Sequence, residues 1–79
     1  MRYILIADVG TTSMKTSLFT RDLRCLGTIA GEYKLRSLPN GVIELDPEAY
    51  WTQFCQGTRQ ICEHCGVTPD QIERIGITT

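Results

Sequence analysis

No stretch of this sequence is apolar for long enough to cross a bilayer as a helix, which takes about 20 residues. The longest run, Tyr3 to Ala7, is also too short for the core of a secretory signal. An excess of one charge is missing too: eight basic residues stand against nine acidic ones, for a net charge of −1. That balance offers a polyanion no basic patch, and argues against nucleic acid and membrane surfaces as partners. Proline is scarce, at three residues, and the seven glycines show no period, which rules out collagen-like and low-complexity chains. With 79 residues, 42% of them hydrophobic, the chain makes one small globular domain at most. The lack of an export signal points to the cytoplasm, where Cys25, Cys55, Cys62 and Cys65 are expected as reduced thiols.

What is present reads as an α/β unit. Tyr3-Ile4-Leu5-Ile6-Ala7 is apolar on both faces and bounded by Asp8 and Gly10, as befits a central strand covered from both sides. Met14, Thr16 and Leu18 then alternate with Lys15, Ser17 and Phe19, the period of a half-buried strand. A polar turn at Arg21-Asp22-Leu23-Arg24 leads into a third strand. Strands near 3–8, 13–20 and 24–33 with short connections predict an antiparallel meander. Leu35 to Gly41 reads as a loop turning at Pro39-Asn40-Gly41, and Val42 to Leu45 as a short extended piece.

A helix over 47–65 is the sharpest local signal. Asp46 suits the N-cap, Pro47 the first helical position, Glu48 the positive end of the helix dipole, and Gly66 the stop. At 100° per residue, Tyr50, Trp51, Phe54, Cys55, Thr58, Ile61, Cys62 and Cys65 fall in one arc of about 140°, with Gln53, Gln56, Arg59, Glu63 and His64 opposite. The arc predicts packing of Trp51, Phe54, Ile61 and Cys62 on the sheet. Thr68-Pro69-Asp70 makes a second turn, and 74–79 a last strand, parallel to its neighbour through a right-handed crossover. One helix covers only one face of the sheet, so a bare face and an open edge are expected to drive self-association or to meet further chain.

The chemistry concentrates in Asp8-Val9-Gly10-Thr11-Thr12-Ser13-Met14-Lys15, between the first two strands. Gly10 lets the backbone come close to a ligand, or take a positive φ. Successive amides with the hydroxyls of Thr11, Thr12 and Ser13 suit phosphate oxygens. Asp8 supplies a carboxylate for Mg²⁺, directly or through water, and Lys15 a positive charge beside the phosphates. The plain alternative is an ordinary hairpin turn, because Asp, Gly, Thr and Ser are all turn residues. Neither a P-loop nor a G-x-G-x-x-G fingerprint is present, and a strand rather than a helix follows the turn.

Residues 6–15 resemble the first phosphate motif of the FGGY carbohydrate kinases, within the actin-like, sugar-kinase and heat-shock ATPase superfamily. Three further segments agree in order: Leu26-Gly27, Gly41 with Glu44-Leu45-Asp46-Pro47-Glu48 through Trp51, and Ile72-Glu73-Arg74-Ile75-Gly76-Ile77-Thr78. The resemblance implies a ribonuclease H-like fold, with 1–79 as the truncated N-terminal part of the family's first domain. It further implies ATP-dependent phosphorylation of a sugar or polyol hydroxyl. By the same resemblance Asp8 acts on Mg²⁺, Gly10, Thr11, Thr12 and Ser13 meet the nucleotide phosphates, and Lys15 matches a position that is often basic. Val9 stands where glycerol kinases carry Gln, a tilt toward pentulose kinases. No catalytic residue is assigned, because the family's catalytic base, sugar contacts and adenosine site fall beyond Thr79.

Two competing readings remain. An actin-like ATPase that activates another protein carries a similar first motif, but the Asp46-Pro47…Trp51 segment argues against it. A non-catalytic module binding through an uncovered sheet face is the other. Cys62-x-x-Cys65 with His64 invites a zinc reading, yet no second ligand pair exists and both thiols lie in the apolar arc, so Cys55, Cys62 and Cys65 read as buried structural thiols. Glu44 is expected to face solvent.

Overall fold

The computed structural model describes residues 1–34, 36–41, 43–44 and 46–79, with nothing said of the side chains of Arg36, Ile43 and Glu44. Its elements are β1 (Tyr3–Val9), β2 (Ser13–Thr20), β3 (Cys25–Glu32), β4 (Arg36–Ser37), β5 (Ile43–Glu44), α1 (Pro47–Cys65), a 3₁₀ turn (Pro69–Gln71) and β6 (Ile72–Thr78). The main sheet runs β3-β2-β1-β6, and β4 pairs with β5 in a separate two-stranded ribbon. β1 is antiparallel to β2, β2 to β3, and β6 lies parallel to β1. This is the expected meander, helix and parallel strand. β6 starts two residues before the expected 74, and part of the expected 35–41 loop pairs as β4. Of the extended piece at 42–45, Ile43–Glu44 is β5, while Val42, Leu45 and the outward aim of Glu44 lie outside the described residues.

Local chemistry sets the helix ends as read. The Glu48 amide donates to Asp46 Oδ1 at 3.0 Å, Pro47 opens the first turn, and Gly66 closes the last with φ 68°. The β2–β3 turn is tighter than its sequence suggests. Leu23 sits there at φ 68°, a backbone state that disfavours side chains beyond Asn and Asp. Thr20 offsets this, its hydroxyl binding the Asp22 carboxylate and accepting the Arg24 amide at 3.1 Å.

The core lies between α1 and the sheet, where Leu5, Leu18 and Ile61 are fully buried with Val67, and Ala7, Met14 and Tyr33 form a second cluster. Here the structure corrects the helix phase. Gln53, Gly57, Ile61 and Cys62 are the buried residues of α1, although the pattern placed Gln53 on the solvent side. Trp51 is 63% exposed, stacked on Phe54 at 5.8 Å instead of packed on the sheet. Small residues decide this. A Cβ on Gly57 would come within 2.5 Å of Thr16 Oγ1, and one on Gly31 would run into the Gln53 carboxamide. The helix therefore settles over β2 and β3 along Gln53, Gly57 and Ile61, a line that runs just past one edge of the apolar arc. The other edge hangs over β1 and β6.

Only Cys62 of the three helical cysteines is fully buried; Cys55 and Cys65 are half-buried and Cys25 is exposed, all four as free thiols. Cys55 lies on the arc's far edge, away from the line of closest approach. Burial pushes the Cys62 thiol up from its ordinary value, Cys65 adding to it, and burial with nearby Cys25 does the same to Cys65. Such thiols are poor nucleophiles at neutral pH. Among the described residues no group of three His, Cys, Asp or Glu side chains is placed to hold a metal ion.

Candidate functional site

The β1–β2 connection is a four-residue turn, Gly10 to Ser13, between the paired residues Val9 and Met14. Two backbone bonds fix it. Inside the turn the Gly10 amide donates to the Ser13 carbonyl at 2.9 Å, and from outside the Tyr33 amide donates to the Thr12 carbonyl at 3.0 Å. Gly10 is needed for closeness, not for a positive φ. A Cβ there would sit 2.9 Å from the Ser13 carbonyl oxygen, and Gly10 is not among the residues of positive φ. The same bonds set which backbone amides of the turn are taken. The Gly10 amide is already used, whereas among the described residues the amides of Thr11 and Thr12 donate to no backbone carbonyl. Both threonines are exposed, and Ser13 is half-buried.

Strand alternation sorts the flanking residues by face. Leu5 and Ala7 point under α1, so Asp8 points to the opposite side, as do Ser13 and Lys15 on β2. Register sets Asp8 directly across from Lys15 on β2 and beside Thr78 on β6. Asp8 and Lys15 are exposed, and among the described residues the Asp8 carboxylate carries neither an ion pair nor a hydrogen bond. A free carboxylate, a cation across from it and a turn with two open amides and three hydroxyls suit a metal-bound polyphosphate. All six expected site residues thus meet at one end of the sheet.

Two neighbours escaped the sequence reading. Thr78 flanks Asp8 only through the parallel pairing of β6, which no local pattern encodes. Tyr33 holds Thr12 across twenty residues of chain, and its ring is buried against Ala7 and Met14, edge-on to Tyr50 at 4.9 Å. Burial, with Tyr50 and Asp8 nearby, raises the Tyr33 phenol above its ordinary value.

Residues 3–79 match the FGGY family of carbohydrate kinases, N-terminal domain. The chain belongs to that family. Among curated FGGY relatives, glycerol kinase of Symbiobacterium thermophilum is 33% identical over 76 residues, 96% of this chain and 15% of that protein. Glycerol kinase of Rhizobium meliloti is 34% identical over the same share of both chains. The chain thus spans about 15% of the length of the curated relatives it matches. Among solved structures, ligand-bound xylulose kinase from Lactobacillus acidophilus superposes with a TM-score of 0.78 at 22% identity, over 98% of this chain and 15% of that one. Plasmodium falciparum glycerol kinase with ADP gives 0.68 at 21%, over the same shares. These likenesses establish the fold, the actin-like ATPase arrangement of the ribonuclease H-like group, seen here as a mixed four-stranded sheet with one helix.

Proposed function

We propose that this chain is the phosphate-gripping N-terminal part of the first domain of an ATP-dependent carbohydrate kinase, acting on a polyol or pentulose hydroxyl in the cytoplasm. The observation that carries the reading is the turn itself: an Asp8 unpaired among the described residues, across from Lys15 and beside Thr11 and Thr12 amides that are open among them and held in place by Tyr33. Thr11, Thr12, Ser13 and Lys15 hold the nucleotide phosphates, Gly10 lets the turn come close to them, and Asp8 holds Mg²⁺ directly or through water. Bound there, Mg²⁺ neutralises charge on the phosphate oxygens. The chain's own part is positioning: rigid donors and a fixed carboxylate keep the phosphates in line for an acceptor hydroxyl supplied elsewhere. The family resemblance assigns no general base and no sugar contact to residues 1–79, so the isolated chain is expected to transfer no phosphoryl group. The curated relatives carry the name glycerol kinase and one structural neighbour that of xylulose kinase, so both acceptor classes stay within the proposal.

Self-association belongs to the same proposal. Trp51, Ile75 and Ile77, at 63%, 55% and 68% exposure, line an apolar groove beside β6, whose outer edge is unpaired among the described residues.

In a family-length kinase bearing this N-terminal segment, Asp8→Asn is expected to cut kcat by about 100-fold or more, the scale of losing one transition-state charge stabiliser. Circular dichroism should stay unchanged, because Asp8 is exposed and holds no structural bond. Unimpaired turnover by that variant, or turnover by the isolated chain, refutes the reading.

A further inference from the structure

We propose that Tyr33 is a positioning residue of the phosphate turn, coupling the start of α1 to Thr11 and Thr12 through its buried ring and its backbone amide. The inference rests on the phosphate reading of that turn and adds what keeps the turn in shape.

The turn has one internal bond, Gly10 to Ser13, which closes its base. Among the described residues its tip has a single outside backbone tether, the Tyr33 amide on the Thr12 carbonyl. Tyr33 follows directly on the last β2–β3 pair, Ser13 with Glu32, so the tether extends that ladder by one bond past the strand end. A bond at a frayed strand end is ordinarily weak, because nothing beyond it holds the chain. Here the ring holds it. Tyr33 is 6% exposed, wedged with Ala7 and Met14 against Val9, Ala49 and Phe54, and set edge-on to Tyr50. Ala49 and Tyr50 belong to the first turn of α1, the turn that Asp46 caps. A shift of that helix start is thus passed by the ring to the Tyr33 backbone, and from there to the Thr12 carbonyl, which directly follows the two open amides.

The hydroxyl has no share in this. It is buried without a hydrogen-bond partner among the described residues, so the position uses the ring's bulk and shape rather than its polar end. Tyr33→Phe should therefore preserve the tether, while loss of the ring should free it.

The test uses the 79-residue chain with Mg²⁺ and inorganic pyrophosphate as the probe, followed by amide NMR. The unsubstituted chain is expected to bind, with the largest shifts at Thr11 and Thr12. Tyr33→Leu, which keeps apolar volume, should weaken binding about tenfold and speed exchange of those two amides about tenfold. Amides in the middle of β1 and α1 should stay protected. Tyr33→Phe should restore both readouts. Tyr50→Leu, at a partly exposed helix position, should give the same change in smaller measure. Binding and exchange unmoved by Tyr33→Leu would overturn the positioning role and leave the phosphate reading standing. Failure of the unsubstituted chain to bind would overturn the phosphate reading itself.

Discussion

The helix side of the sheet has two unlike halves. Over β2 and β3, α1 lies close, with Gly57 on Thr16, Gln53 on Gly31 and Ile61 on Gly27. Over β1 and β6 the same face opens into a groove of about 540 Å³ lined by Val9, Trp51, Phe54, Ile75 and Ile77. The closed half buries the polar Thr16 and Gln53 while the open one is lined by apolar side chains, so hydrophobicity did not choose between them. The difference lies in relief. Glycines at 27, 31 and 57 remove the Cβ atoms that would hold helix and sheet apart, and closer approach brings more dispersion contacts. β6 offers branched Ile75 and Ile77 on that face, and its one nearby glycine, Gly76, is filled from the far side by Ile6. A face that lacks relief for its own helix stays open.

Substitutions should separate the halves, the greatest effect falling on the closed one. Ile61→Ala is expected to lower unfolding free energy by about 2–5 kcal/mol, because a fully buried side chain leaves a cavity. Urea melts at low concentration would measure it; a loss below about 1 kcal/mol would mean that this half is not the core. Gly57→Ala comes next. In an exposed helix this change gains up to about 1 kcal/mol, but here the added methyl meets Thr16 Oγ1 at 2.5 Å. Overpacking costs about 1–3 kcal/mol, so a net loss of about 1 kcal/mol is expected, and a net gain would break the close-approach argument. The smallest effect belongs to the open half. Trp51→Ala should change the stability of the dilute chain by only about 0.5 kcal/mol, as for surface positions. Its consequence should appear on concentration instead. Sedimentation of the unsubstituted chain should show species heavier than 8.9 kDa at micromolar concentration, and Trp51→Ala should weaken them. A strict monomer would remove the groove and the β6 edge as contact surfaces.

Several features were legible because they rest on neighbours in sequence. Asp46, Pro47 and Gly66 bounded α1 because capping depends on residues within one turn. Alternation through Met14, Thr16 and Leu18 named the buried face of β2 because a pleat has period two. Asp8, Gly10, Thr11, Thr12, Ser13 and Lys15 stood out because the turn proposed to bind phosphate is written in nearly consecutive residues. The phase of α1 was not legible. A 140° arc leaves a choice of edge, and Gln53 took a buried place that its polarity hid. Of the two uses offered for Gly10, a close approach and a positive φ, the turn takes no positive φ there, and the small residue makes room for the Ser13 carbonyl.

By itself the sequence determined the types of the main elements, the helix ends, the turn that carries the proposed site and the resemblance that names the family. Each depends on interactions spanning a few residues, or on a motif read in order. Tertiary structure alone decided which edge of α1 meets the sheet, that Trp51 stands in solvent, that Thr78 flanks Asp8 and that Tyr33 anchors Thr12. Those choices depend on register and on the fit of small residues between segments tens of positions apart. Such fit follows from shape in three dimensions, which a pattern along the chain does not record.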